Sequence, residues 1–278
     1  MSRTVDLTKH HGLGNDFLVY VTDAMSRPDG TELARAVCDR HRGVGADGLL
    51  LALPAPADGS ADVTMRLHNA DGSLAGMSGN GIRCFVQACA RAGLVGNGLV
   101  RVATDSGLRT VDLTPDDASG LAHVRVDMGV AKVGTIDVPD SVSGRAAQIV
   151  TVDVGNPHVV LLGGRAEIDA FRSIAAFGAD IESHFAGGIN VEVIRSRDAE
   201  SIDMVVWERG VGVTQACGTG ACASAIAWQR NGGPDRVVVH QPGGDAVVEL
   251  SGRGDAVAVT LVGPTQFICR AEFVWTSS

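Results

Sequence analysis

The sequence predicts an α+β protein of two homologous halves, each a strand-rich shell around a buried helix. Three observations carry this. A segment is written twice, short β-branched runs outnumber helical ones, and the helix after the second copy is apolar nearly all round.

Residues 65–84, MRLHNADGSLAGMSGNGIRC, align without a gap on residues 204–223, MVVWERGVGVTQACGTGACA, at a constant offset of 139. GNDF (Gly14 to Phe17) matches GNPH (Gly155 to His158), and GADGLLL (Gly45 to Leu51) matches GINVEVI (Gly188 to Ile194). RVATDSGLRTVDL (Arg101 to Leu113) matches VVHQPGGDAVVEL (Val238 to Leu250). A period near 140 is too long for a solenoid and implies two domains facing each other. The polar stretch 114–150 holds the boundary, giving lobes at 1–125 and 126–278.

MRLHN, VRVAT, RTVDL, HVRVDM, VTVDV and AVVEL read as strands bounded by Gly, Asp and Pro. Helical spacing marks Glu32 to Arg40, and Ile82 to Ala92 ends at Gly93. Ala221 to Arg230 mirrors the latter and carries no charge until Arg230, as a buried helix would. Too few helices alternate with these strands for a doubly wound α/β fold.

The 278 residues are 45% apolar and 20% charged, which is ordinary for a globular chain. A net charge of −9 counts against broad nucleic-acid binding. The start MSRTVDLTKHH lacks a signal peptide's apolar run, and no apolar run approaches about 18 residues, so no membrane partner and a cytoplasmic location are expected. None of the six cysteines forms a CxxC pair, and the histidines make no HExxH, so no metal is expected. His10–His11 reads as a strand-edge pair. The two lysines, Lys9 and Lys132, lie in no cofactor motif, which counts against a pyridoxal Schiff base.

Chemistry concentrates in the repeated loop. In each copy a small nucleophilic side chain, Ser78 or Cys217, precedes Gly-x-Gly at a helix start. Free backbone N–H groups and the helix dipole there suit a carboxylate. Neither a Walker sequence nor a strand-to-helix GxGxxG is present for a nucleotide. At such a terminus the Cys217 thiol is expected to fall from about 8.5 to about 3.5–7.5. With no protease signature, proton abstraction is the better role. Two such loops gripping one small molecule would suit inversion of a stereocentre.

HGLGNDF, DRHRGVGADGLL, NADGS, SGNGIRC, GNPH, GGINVE, ERGVG and ACGTGAC, in this order over nearly the whole chain, resemble the diaminopimelate epimerase family. The resemblance implies two pseudo-symmetric domains, each a mostly antiparallel sheet or barrel around a central helix. It implies a cofactor-independent two-base enzyme of lysine and peptidoglycan precursor synthesis that interconverts LL- and meso-diaminopimelate, usually as a homodimer. Cys217 becomes one catalytic thiol, with Ser78 at the other catalytic position. Gly79, Asn80, Gly218 and Thr219 would bind the α-carboxylate. Asn15, Asn69, Asn156 and Asn190 would hold carboxylates and ammonium groups, and Arg209 would pair a distal carboxylate. His158 and Glu208 would tune the proton donors and acceptors.

Three positions depart from the family pattern. Ser78 stands where its members usually have Cys, and an alcohol is far less acidic than a thiol. Val213 stands where many have Glu, and Gly48 replaces a polar substrate contact seen in some. The departure at Ser78 leaves four readings: a Ser/Cys epimerase, an inactive Ser variant, a one-base dehydratase or racemase of another amino acid, and a ligand-binding protein. Retention of Cys217, His158 and Glu208 argues against the last.

Overall fold

A computed structural model describes residues 2–22 and 30–276. The chain divides into two units, Met1–Val126 with Gly263–Ser278, and Asp127–Val262.

The first unit contains β1 (Ser2–Gly12), β2 (Asn15–Val21), α1 (Gly30–Cys38), β3 (Gly48–Leu53), β4 (Val63–Asn69), β5 (Leu74–Ala75), α2 (Gly79–Arg91), β6 (Gly98–Thr104), β7 (Gly107–Leu113) and the first part of β8 (Leu121–Val133). The second contains β9 (Gln148–Asp153), β10 (Pro157–Leu162), α3 (Gly164–Ser183), β11 (Asn190–Ser196), β12 (Ser201–Glu208), β13 (Gly212–Val213), α4 (Gly218–Arg230), β14 (Arg236–Gln241), β15 (Gly244–Ser251) and the first part of β16 (Ala256–Thr276).

The order of elements repeats, and so does the pairing. β1–β2 and β3–β4 are antiparallel, whereas β2–β3 and β4–β6 are parallel. In the second unit β9–β10 and β11–β12 are antiparallel, with β10–β11 and β12–β14 parallel. A parallel pair cannot be closed by a tight hairpin. Each of these four therefore carries a crossover, and the four helices occupy the four crossovers. This is the mostly antiparallel α+β arrangement expected.

The expected lobe at 126–278 differs from the structure at its end. From Gly263 onward the chain belongs to the first unit, because β1 pairs antiparallel with β16 from Ser2↔Thr276 to His11↔Gln266. β1 would otherwise leave a row of backbone donors and acceptors unpaired on one side. β8 likewise pairs with β7 over Val124 to Val126 and with β9 at Lys132 and Val133.

Helix α2 is buried from Gly79 to Cys89, and α4 from Gly218 to Ala227. Both begin three residues earlier than the apolar pattern suggests. Gly-x-Gly is the first helical turn in each, with Ser78 or Cys217 as the cap. Helix α3 is an addition to the expected elements. Non-helical backbone at Ser173 breaks it, and only Ala166, Ala170, Gly178 and Ile181 are buried, so no sustained apolar stripe marks it. It packs through Gly178, where a Cβ would fall 2.2 Å from the Trp207 Cβ.

Within the first unit, α2 is tied to its strands by a buried polar chain. The His10 Nδ1 meets Gln87 Oε1 at 2.9 Å and its Nε2 meets Thr8 Oγ1 at 3.1 Å. Gln87 Nε2 donates to Asp116 Oδ1 and the Gly120 carbonyl, both at 2.8 Å. His10 is thus a core histidine rather than a member of an edge pair, and burial lowers its pKa to about 4. The folded state binds fewer protons than the unfolded state between pH 6.5 and about 4. Stability is therefore full above pH 6.5 and declines as the pH falls toward 4, by about 3 kcal/mol from this group. Urea unfolding across this window should show the loss, and His10→Gln should lessen it.

Candidate active site

In the first unit the Ser78 Oγ accepts from the Gly81 N–H at 3.0 Å. One helical turn on, the buried Arg83 holds this end of α2. Its guanidinium donates to the Gly79 carbonyl at 2.9 Å, Asn80 Oδ1 at 2.7 Å and the Pro264 carbonyl at 3.1 Å. Asn80 Nδ2 then donates to Asn15 Oδ1 at 3.2 Å, and Asn15 Nδ2 to Asp47 Oδ2 at 2.7 Å. Behind them Arg40 bridges Asp16 and Asp47, and Lys9 pairs with Asp16 at 2.8 Å. Burial works against the Asp16 charge, yet Arg40 and Lys9 hold its carboxyl below the usual range. Four predicted residues, Asn15, Ser78, Gly79 and Asn80, are therefore joined. Asn69 stands apart from this chain: its Nδ2 donates to Ser73 Oγ at 3.0 Å.

In the second unit Cys217 caps α4, its Sγ accepting from the Gly220 N–H at 3.3 Å and lying 3.5 Å from Thr219 Oγ1. Asn156 links two groups of this end: Nδ2 donates to Thr219 Oγ1 at 3.4 Å, and Oδ1 meets His158 Nε2 at 3.0 Å. His158 Nδ1 meets Glu192 Oε1 at 2.8 Å, with both side chains fully buried. The Glu208 carboxylate accepts from Thr214 Oγ1. Burial and the neighbouring Glu192 raise the Glu208 pKa.

These surroundings reverse the expectation for the thiol. Burial, then the charges of Glu208 and Glu192, push the Cys217 pKa well above its ordinary value. The Thr219 hydroxyl and Gly220 N–H oppose that rise without overcoming it. Cys217 therefore rests as a thiol beside carboxyl groups, not as the thiolate that a helix terminus suggests.

Asn190 and Arg209 serve different ends. Both ends of the Asn190 amide are occupied by backbone, Nδ2 donating to the Pro157 carbonyl and Oδ1 accepting from the Arg209 N–H. Arg209 is exposed, and among the described residues its guanidinium has no ion-pair partner.

Strand register compares the units position by position. Phe17 pairs with Gly48 as His158 pairs with Asn190, which moves the GADGLLL/GINVEVI match by one residue. Phe17, Leu50, Asn69 and Ser78 then stand where the second unit has His158, Glu192, Glu208 and Cys217. The acid–base side chains are thus concentrated on one side of the repeat. At Gly48 a Cβ would fall 2.8 Å from the His68 carbonyl and 3.2 Å from the Phe17 ring, so no polar side chain fits. Val213 is exposed on β13.

Sequence reasoning missed Glu192, Gln241 and Arg83. Glu192 had a signal: an acid inside the otherwise apolar strand core VEVI. Arg83 and Gln241 had none beyond their neighbours. Among the described residues no group of three or more His, Cys, Asp or Glu could hold a metal ion. No helix there is long and apolar enough to cross a membrane.

The family model for diaminopimelate epimerase matches residues 7–134 and 150–268. The chain is similar to a diaminopimelate epimerase of Desulfitobacterium hafniense, at 39% identity over 95% of this chain and 96% of the relative. It is 38% identical to one of Pelotomaculum thermopropionicum, over 96% of this chain and 98% of the relative. In fold it resembles a Bacillus anthracis phenazine biosynthesis protein of the PhzF family, with TM-score 0.75 and 13% identity over 98% of this chain and 100% of that one. A hydroxyproline epimerase from Agrobacterium vitis gives TM-score 0.72 and 17% identity over 98% of this chain and 91% of that one.

The charge of Glu208 is the largest one raising the Cys217 pKa. Glu208→Gln should move the thiol's titration midpoint down, read from the pH dependence of Cys217 alkylation by peptide mass mapping. An unmoved midpoint would show that this carboxylate does not act on the thiol.

Proposed function

The chain belongs to the diaminopimelate epimerase family, and we propose that it interconverts LL- and meso-diaminopimelate without a cofactor, with Cys217 and Ser78 as its two proton shuttles. The observation that carries this reading is the Cys217 cap on α4, with the charges of Glu208 and Glu192 acting on its thiol and His158 bonded to Glu192.

Each helix start, Gly79 and Asn80 on α2 and Gly218 and Thr219 on α4, offers N–H groups and a dipole that favour a substrate carboxylate. Arg209, exposed and without an ion-pair partner among the described residues, takes the distal carboxylate. Asn15, Asn69 and Asn156 offer amides to the carboxylate and ammonium groups, and Asn190 keeps Arg209 in place through its backbone bond.

In one direction Cys217 first passes its proton to the carboxyl cluster, and the thiolate takes the α-proton as the carbon gains the electron pair. The Ser78 hydroxyl returns a proton on the other face of that carbon, and water restores the hydroxyl. In the other direction Ser78 passes its proton to water and takes the α-proton. The Cys217 thiol, kept protonated by its raised pKa, gives its proton to the carbon and is refilled from the carboxyl cluster. We propose that the enzyme works as a homodimer in the cytoplasm.

The test is α-deuterium incorporation from deuterated water with LL- and meso-diaminopimelate as substrates. Exchange with inversion is expected, and Ser78→Cys should raise its rate. Cys217→Ser should lower it by about 10²–10⁴-fold. No exchange from either isomer, in the chain as it stands or with Ser78→Cys, would sink the assignment. Exchange without inversion, or release of water or ammonia from another amino acid, would favour the one-base reading that the uneven distribution of acid–base groups also supports.

A further inference from the structure

Gln241, the last residue of β14, has no part in the chemistry described so far. Its Oε1 accepts from the backbone N–H of Cys217 at 2.8 Å. In a capping box that N–H is taken by a side chain three residues into the helix. Here that position is Gly220, which has no side chain to offer. Nor is there room for one, since a Cβ would fall 2.6 Å from Glu192 Oε1. The acceptor must therefore come from another element, and β14 supplies it.

The other end of the same amide is unusual. Gln241 is 7% exposed, and its Nε2 is buried with no hydrogen-bond partner among the described residues. A buried donor left unpaired is costly unless some state of the protein or its ligand brings an acceptor. The first unit has no counterpart. Thr104, the residue matched to Gln241 by the repeat, keeps its hydroxyl within its own turn, donating to the Gly107 carbonyl and accepting from the Ser106 N–H.

We infer that Gln241 is a positioning residue for Cys217: its carbonyl replaces the missing capping-box arm, and its free N–H answers the negative charge that forms on Sγ. The amide thus fixes the thiol's backbone and stabilises its ionised form with one side chain. The thiol also faces Glu208 from β12 and Glu192 from β11, the latter bonded to His158 of β10. Thr219 and the Gly220 N–H face it from its own helix. The carboxylates disfavour a thiolate, so an added neutral donor matters most at this position.

The inference rests on the epimerase reading for its catalytic consequence, but the thiol can be measured without substrate. In each background the thiolate absorbance is taken as the difference against the same protein with Cys217→Ala, and titrated with pH. Gln241→Met keeps the volume and loses both polar ends. Its thiol midpoint should rise by about one unit. Gln241→Glu keeps an acceptor for the N–H but loses the donor and adds charge, and should raise the midpoint further. In deuterium exchange both should lower kcat by about tenfold or more, with KM held within about twofold. Where Gln241→Met fails to fold, Gln241→Glu carries the test. Titrations that superimpose on the unsubstituted chain would overturn the inference. A raised midpoint in a chain that exchanges neither isomer would uphold it and remove the diaminopimelate reading alone.

Discussion

The hydrogen bond from a cap side chain to the third N–H of a buried helix is the constraint on which the rest of this structure depends. Each parallel strand pair needs a crossover, and in β4–β6 and β12–β14 that crossover is a helix buried on nearly every side. A helix start leaves N–H groups without intrahelical acceptors, and burying them is costly. Ser78 and Cys217 each satisfy one, at Gly81 and Gly220. A serine cap of this kind is worth about 1 kcal/mol. The donors left beside it are what an anionic ligand can use. On the proposed reading, the reactive side chain and the anion site are thus two consequences of one buried helix end.

The same burial decides the acid–base chemistry. A helix dipole contributes about 0.3–1 kcal/mol, and up to about 2 where partly buried. That would lower a thiol's pKa if nothing opposed it. At Cys217 burial and two carboxylates oppose it, and they prevail. The outcome is a protonated thiol beside a Glu208 carboxyl whose own pKa is raised, with His158 bonded to Glu192. A general rule about helix termini failed here because the neighbours arrive from β11 and β12, strands separated from the helix in the chain.

That distance also marks what could be read from the amino-acid sequence. The duplication, the α+β class, the buried α4 helix and the cap residues were legible, because each is local or repeats at a fixed offset. The return of residues after Gly263 to β1 was not, since any exposed strand edge could have received them. Helix α3 was hidden by the break at Ser173 and its narrow apolar face. At the site, Ser78, Asn15 and Asn80 could be named from motifs, but Arg83, which joins Asn80 to the Gly79 carbonyl, looked like any helical arginine. The one-residue displacement at Gly48 could only come from strand register. An alignment without gaps has no means of sensing it.

Register gives Ser78 its meaning. Its unit carries Phe17, Leu50 and Asn69 where the other carries His158, Glu192 and Glu208. A thiol at position 78 would find no carboxylate partner at those positions, so the substitution of an alcohol removes acidity from a place with little machinery to manage it. What the first unit does possess is the chain from Arg83 through Asn80 and Asn15 to Asp47 and Arg40, which fixes amides rather than moving protons. Two helix ends with the same cap geometry thus differ, one tied by amides and ion pairs and the other set beside acid–base groups. The repeated loop is symmetric in its backbone and asymmetric in everything that titrates.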